Sequence, residues 1–169
     1  APAVVVVHEW GGLNDYARKR AKMLAEAGYT AIAVDMYGHG KTASHPKDAT
    51  AFMNAALAEP EKMNARFDAA MAILKRQTKG DIYAIGYCFG GMCVLELARG
   101  GSDVRGVISV HGIFSPGAVP NKPIMGLTCP TTLSSSIFLN RAVARSSAVC
   151  SSAFSMAGKP YFASLNAAC

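Results

Sequence analysis

Beyond His111 the chain contains no acidic residue and no histidine. Residues 112–169 offer four cations, Lys122, Arg141, Arg145 and Lys159, but no carboxylate or imidazole. General acid–base chemistry is therefore confined to the first two thirds. Long apolar runs are also missing. Half the residues are hydrophobic (51%), yet no stretch approaches the roughly 18 residues that a membrane-spanning helix needs. The five cysteines (88, 93, 129, 150 and 169) form no CxxC pair and no His/Cys metal spacing. Their odd number argues against a disulfide framework and for reduced thiols in a cytoplasmic setting. Neither a metal centre nor a cofactor is expected. The chain opens at Ala1, and Val4–Val7 is too short for a signal-peptide core. Either the start is processed or upstream sequence precedes it, which leaves export open.

Charge is uneven. Residues 1–111 hold 13 Lys+Arg against 11 Asp+Glu, a net of +2 out of the total +6, and the remaining +4 is scattered through residues 112–169. The one dense cluster, Arg18-Lys19-Arg20 with Lys22, lies on a helical pattern. It reads as a solvated face rather than a nucleic-acid footprint.

Up to residue 111 strands and helices alternate. Val4–Val7 is a β-branched run suited to a strand buried on both faces. Asn14 can cap a helix ending near Ala27, with Gly28 as its left-handed stop. Thr30–Asp35 is the next strand, followed by the glycine-punctuated loop "MYGHGK" and a short helix around Lys47–Leu57. Pro60 fits the first turn of a longer helix that lines up Met63, Phe67, Ala70, Met71 and Leu74 on one stripe. Strand Ile82–Ile85, a helix from Phe89 to Arg99 and strand Val104–Val110 complete the pattern. Such alternation predicts an α/β fold of three layers, a mostly parallel sheet between helices. From about Met125 no period of 2 or 3.6 is sustained, and Ser, Ala and Cys dominate. The expected organisation is a partial domain over 1–120, truncated at both ends, and a divergent tail over 121–169. That tail is either an unusual native extension or a truncated, out-of-frame or disordered segment, and the composition break favours the second.

Two motifs carry chemistry. Gly86-Tyr87-Cys88-Phe89-Gly90-Gly91 follows a strand and opens a helix, the form of a nucleophile elbow. Glycines two before and two after Cys88 let strand and helix crowd a sharp turn, which strains the nucleophile's backbone. The partial positive charge of the helix N-terminus faces the sulfur. The Phe89 N–H is placed to serve as half an oxyanion hole. The plainer alternative is a buried structural cysteine, a role assigned here to Cys93. The second motif, His8-Glu9-Trp10-Gly11-Gly12, follows the first strand, where open α/β sheets build their sites. Its plainer alternative is Glu9 as a surface carboxylate.

"HEWGG", "DMYGHGK" and "GYCFGG", in this order, closely resemble the dienelactone hydrolase family of the α/β-hydrolase superfamily, over about residues 1–116. The resemblance implies the spatial strand order 30–35, 4–7, 82–86, 104–110, with the Glu9 and Cys88 loops side by side. It implies a hydrolase of small lactones or esters, typically an unsaturated enol-lactone from aromatic breakdown. Cys88 would be the nucleophile, the N–H groups of Trp10 and Phe89 the oxyanion hole, and Glu9 the resting partner of the thiol. Two anions so close resist joint ionisation, so the pair would share a proton.

The family also supplies an Asp and a His after the nucleophile. Here Glu96, Asp103 and His111 are the only acids and histidine beyond Cys88. Glu96 and Asp103 fall in or just after the elbow helix, and His111 is at best a substitute base. His39 and His45 read as solvent-facing, and His8 points opposite to Glu9. No triad Asp or His can be named, so an impaired hydrolase is expected, with a non-catalytic binding or dimerisation module as the alternative. A redox role for Cys88 is weak, because no resolving cysteine stands at motif spacing. The expected partner is a small lactone or ester, with no nucleic acid and no membrane. The chain is expected as a monomer, or self-associating through strand 104–110 as an open sheet edge.

Overall fold

A computed structural model of the chain describes residues 1–112 and the strand Ser135–Leu139. In chain order the elements are β1 (Ala3–Val7), α1 (Asp15–Glu26), β2 (Thr30–Val34), α2 (Pro46–Leu57) and α3 (Pro60–Gln77). Then follow β3 (Ile82–Tyr87), α4 (Phe89–Arg99), β4 (Gly106–Val110) and β5 (Ser135–Leu139). The sheet runs β2-β1-β3-β4-β5. Its first four strands are parallel and stand in the expected order.

Local chemistry accounts for the helix ends. The Asn14 side chain accepts the Ala17 N–H at 3.3 Å, satisfying one orphan donor of α1. Both α2 and α3 start on proline, whose missing N–H costs nothing in a first turn.

The period-2 pattern of β1 divides the core. Ala3, Val5 and Val7 join Phe67, Met71, Leu74, Val94 and Leu97 on the face covered by α3 and α4. Val4 and Val6, with Ile85 and Tyr87, pack on Ala21 and Leu24 of α1. The expected stripe of α3 is its buried set: Met63, Phe67, Ala70, Met71 and Leu74. Complete burial of a side chain such as Phe67 contributes about 1.5–3 kcal/mol. The first crossover runs from β1 to β2, and the second returns past β1 to β3. The helices must change face between them if both crossovers keep the same hand. That reversal puts a topological switch point between β1 and β3.

Two expectations change. The last parallel strand begins at Gly106 rather than Val104. The Val104 N–H is taken by the Ser102 carbonyl at 2.8 Å, and the Arg105 N–H reaches Ile82 O at 2.7 Å as the chain enters the sheet. The open edge expected at β4 is paired: β5 runs antiparallel along it, with Ile108 opposite Ile137. The unpaired N–H and C=O groups of an edge strand are a template for any adjacent extended segment. The short run Ser-Ser-Ile-Phe-Leu supplies one from within the stretch expected to be divergent. The rest of the proposed tail lies outside the described residues. Among the described residues no helix is long and apolar enough to cross a membrane.

Candidate active site

Strand register gathers the candidate residues at one edge of the sheet. Val7 pairs with Gly86 and Tyr87 pairs with Val110, so His8–Glu9, Cys88 and His111 leave the sheet side by side.

Cys88 has φ 53° and ψ −115°, a backbone conformation that non-glycine residues adopt only when their surroundings enforce it. Three constraints do so here. The Cys88 N–H donates to the Val110 carbonyl at 2.9 Å. A Cβ on Gly86 would overlap the Gly90 carbonyl, and a Cβ on Gly90 would overlap the carbonyls of Val7 and His8. Strand, turn and helix are thus in backbone contact, and the spacing G-x-C-x-G is what permits it. Cys88 occupies the N-cap position of α4, yet its side chain makes no capping bond. The thiol is part-exposed, whereas Cys93, the other described cysteine, is buried, and burial drives its thiol pKa strongly upward. Phe89, at the first position of α4, carries one of the four N-terminal N–H groups that have no acceptor within the helix.

The loop after β1 supplies the facing wall. Glu9 is partly exposed, and its Oε1 lies 3.8 Å from His111 Nε2, with both side chains about 40% accessible (38% and 42%). His111 has φ 42°, a second non-glycine residue in the left-handed region on this edge. Trp10 is 40% exposed. Its carbonyl accepts the Tyr37 hydroxyl at 2.8 Å, while Gly12 N–H closes a turn onto Glu9 O at 3.1 Å. Arg20 of α1 lies near Glu9, with its guanidinium 4.8 Å from the Tyr16 ring centre and 5.6 Å from that of Tyr87. Burial works against the Arg20 charge, but the hydrogen bond to Tyr16, then Tyr87 and Glu9, outweigh it and raise its pKa. The Tyr87 hydroxyl is pushed up by burial, with Arg20 opposing.

The residues beneath this edge, His8, Tyr37 and Asp35, are not among the site residues expected from the sequence. His8 is buried against Tyr37 and Phe89, on the face of Val7 rather than that of Val4 and Val6, so the alternation of β1 stops at Val7, while Glu9 is partly exposed. Its Nε2 accepts the Met36 N–H at 3.1 Å, and its Nδ1 lies 2.5 Å from Glu9 O. Burial lowers the His8 pKa, with the Glu9 carbonyl and then Asp35 opposing. Asp35 directly follows β2 and holds the next loop. Its carboxylate accepts the N–H groups of Tyr37 (3.0 Å), Gly38 (2.9 Å) and Gly40 (2.9 Å). Arg66 Nη1 donates to Met36 O at 2.6 Å. The available signal was an Asp followed by glycines three and five positions later, an Asx-type loop. His39 and His45 are exposed, as expected.

Glu96 pairs with Arg99 at 2.5 Å and Asp103 with Lys75 at 2.8 Å, both away from Cys88. Among the described residues no group of three His, Cys, Asp or Glu could hold a metal.

A strained strand–turn–helix junction at the C-terminal edge of a parallel sheet, next to a switch point, is the geometry of an α/β-hydrolase fold. The sequence model of the dienelactone hydrolase family matches residues 1–143, and the chain belongs to that family. The carboxymethylenebutenolidase homolog of Mus musculus is 31% identical over 116 residues, which cover 66% of this chain and 47% of the mouse protein. A dienelactone hydrolase-like promiscuous phosphotriesterase from metagenomic libraries superimposes with a TM-score of 0.63 at 34% identity, over 70% of this chain and 51% of that one. The solved structure called m3DLH gives 0.58 at 35% identity, over 72% and 50%. The chain therefore spans about half the length of the relatives it matches.

Proposed function

We propose that this chain is the nucleophile-bearing part of a carboxylic ester or lactone hydrolase of the carboxymethylenebutenolidase type, in which Cys88 is acylated. The observation that carries the reading is the strained Cys88 backbone, φ 53° and ψ −115°, between Gly86 and Gly90 at the junction of β3 and α4. Strain of this kind persists only where surrounding structure enforces it, and it clusters at catalytic turns.

The Cys88 sulfur, having passed its proton to a neighbouring base, forms a C–S bond to the substrate carbonyl carbon. The carbonyl oxygen becomes an oxyanion held by the N–H groups of Trp10 and Phe89. Collapse of this intermediate breaks the carbon–oxygen bond, and the leaving oxygen takes up the proton. Water then cleaves the thioester, which frees the acid and restores the thiol. Glu9 is the first candidate for the neighbouring base. The 3.8 Å contact between Glu9 and His111 supports a second role, with His111 as a substitute base for the water step.

Because residues 112–169 contain neither Asp, Glu nor His, acylation outpaces deacylation in the chain of 169 residues. The substrate class is a small lactone or ester, with an enol-lactone of aromatic breakdown as first choice. Part-exposed reduced Cys88 suits a cytoplasmic setting.

The test is mixing with p-nitrophenyl acetate. One p-nitrophenolate per chain is released in a burst, and mass spectrometry finds an acetyl group on Cys88. Cys88→Ala removes the burst. Saturable binding of small carboxylates with an unacylated Cys88 supports a binding module instead.

A further inference from the structure

The candidate oxyanion donor of the β1 loop is the N–H of the Glu9–Trp10 peptide, and the same peptide has its carbonyl on Glu9. A peptide is planar and trans, so its C=O and N–H point in opposite directions. Whatever holds the Glu9 carbonyl therefore aims the Trp10 N–H. His8 Nδ1 lies 2.5 Å from that carbonyl. The ring tautomer follows from its other bond. Nε2 accepts the Met36 backbone N–H at 3.1 Å, so the ring proton of neutral His8 is on Nδ1, which donates to Glu9 O. His8 is 1% exposed, and burial lowers its pKa.

The next peptide is held the same way. Tyr37 donates its hydroxyl to the Trp10 carbonyl at 2.8 Å. Tyr37 is in turn fixed by its own N–H on the Asp35 carboxylate at 3.0 Å. The aromatic rings close the assembly. His8 and Tyr37 stand 4.7 Å apart between centroids, and Phe89 lies 5.2 Å from Tyr37 and 5.9 Å from His8. One buried cluster thereby ties the loop carrying the Trp10 N–H to the residue carrying the Phe89 N–H.

Resting on the hydrolase reading above, we propose that His8 and Tyr37 are the positioning residues of the oxyanion hole. They act through the carbonyls of Glu9 and Trp10 and touch no substrate. A donor already polarised by a hydrogen bond at the far side of its peptide also binds an oxyanion better.

The experiment compares two reactions of one thiol. Acylation by p-nitrophenyl acetate passes through an oxyanion, forming C–S, breaking the ester C–O and releasing p-nitrophenolate with a proton. Alkylation by iodoacetamide displaces iodide with no oxyanion. Both rates are read at Cys88 by peptide mass spectrometry in the full chain. His8→Gln removes the side-chain donor to Glu9 O and leaves the Gly12 N–H on it, and Tyr37→Phe removes only the hydroxyl. Both should slow acylation by about 10- to 100-fold. Alkylation should stay within about twofold, since both variants leave Cys88 and the glycines around it in place. His8→Asn, whose amide can regain the Nδ1 donor position, should recover part of the loss.

Acylation at the wild-type rate in Tyr37→Phe and His8→Gln overturns the proposal while leaving the hydrolase reading intact. A parallel fall in both reactions also overturns it, because that marks a general disturbance of the turn. A wild-type chain that is alkylated but never acylated overturns the hydrolase reading and this inference together. If the His8 variants fail to fold, Tyr37→Phe decides, as it keeps the ring and its packing.

Discussion

The Glu9 carboxylate and the His111 imidazole meet at 3.8 Å, although 101 residues of chain lie between them. They come from the ends of β1 and β4, on either side of the strand that delivers Cys88. Both side chains are well exposed, so the pair contributes little to folding. Glu9→Gln and His111→Gln should each shift unfolding stability by less than about 1 kcal/mol. Their effects on chemistry should be larger and distinct. Glu9→Gln should slow acylation of Cys88. His111→Gln should leave the burst at one per chain and reduce the slow release that follows by about 10-fold or more. Unchanged slow release shows that water attacks the thioester unaided.

Gly90 is where the elbow helix touches the first strand. An added Cβ would run into the carbonyl oxygens of both Val7 and His8, which belong to backbone and cannot rotate away. Gly90→Ala should therefore cost about 2–4 kcal/mol in denaturant unfolding. It should also displace the Glu9 loop from Cys88 and weaken the acylation burst. By contrast, a Cβ on Gly40 would meet open space, although its φ of 66° still strains any side chain. Gly40→Ala should cost about 1 kcal/mol and leave the burst intact.

His8 gives stability a pH dependence. Burial depresses its folded-state pKa below the ordinary 6.5, so between these two values the unfolded chain binds more protons than the folded one. Stability is then fully present above pH 6.5 and falls as pH drops toward the folded value. The slope approaches about 1.4 kcal/mol per pH unit for one proton. The groups around the ring are the Glu9 carbonyl, the Met36 N–H, Asp35 at 3.9 Å and the Tyr37 ring. Chemical denaturation between pH 7.5 and 5 should show this loss in the wild type, and His8→Gln should flatten it. An identical slope in both would assign the loss to other groups.

Glycine spacing, β-branched runs and the 3.6 period of α3 were legible because each is a local constraint. Gly86 and Gly90 are excluded from carrying a Cβ by neighbours a few residues away or on the adjacent strand. The apolar stripe of α3 needs only one face to bury. Cys88 and Glu9 stood out because such turns admit few residue types. His8 and Tyr37 did not. A histidine next to a strand end and a tyrosine in a loop are common, and their meaning comes from partners 28 and 27 residues away. Nor did β5, whose pairing depends on the open edge of β4 rather than on a period in its own residues.

Asp35 offers a graded test of how far the loop beyond β2 supports the site. Its two carboxylate oxygens take three backbone N–H groups, those of Tyr37 and Gly38 on Oδ1 and that of Gly40 on Oδ2. Asp35→Ala strands all three, two of them part-buried. Bonds to a charged acceptor contribute about 1.5–3 kcal/mol each when buried, and partial exposure reduces the sum to about 2–4 kcal/mol here. Asp35→Asn keeps an uncharged oxygen for the Tyr37 and Gly38 donors and loses the acceptor for Gly40, so about 1 kcal/mol is expected. Denaturation midpoints should fall in the order Asp, Asn, Ala. The acylation rate of Cys88 should follow the same order, because Tyr37 carries the displacement to the Trp10 carbonyl. A stability order that holds while acylation stays constant would show that the loop folds independently of the site it borders.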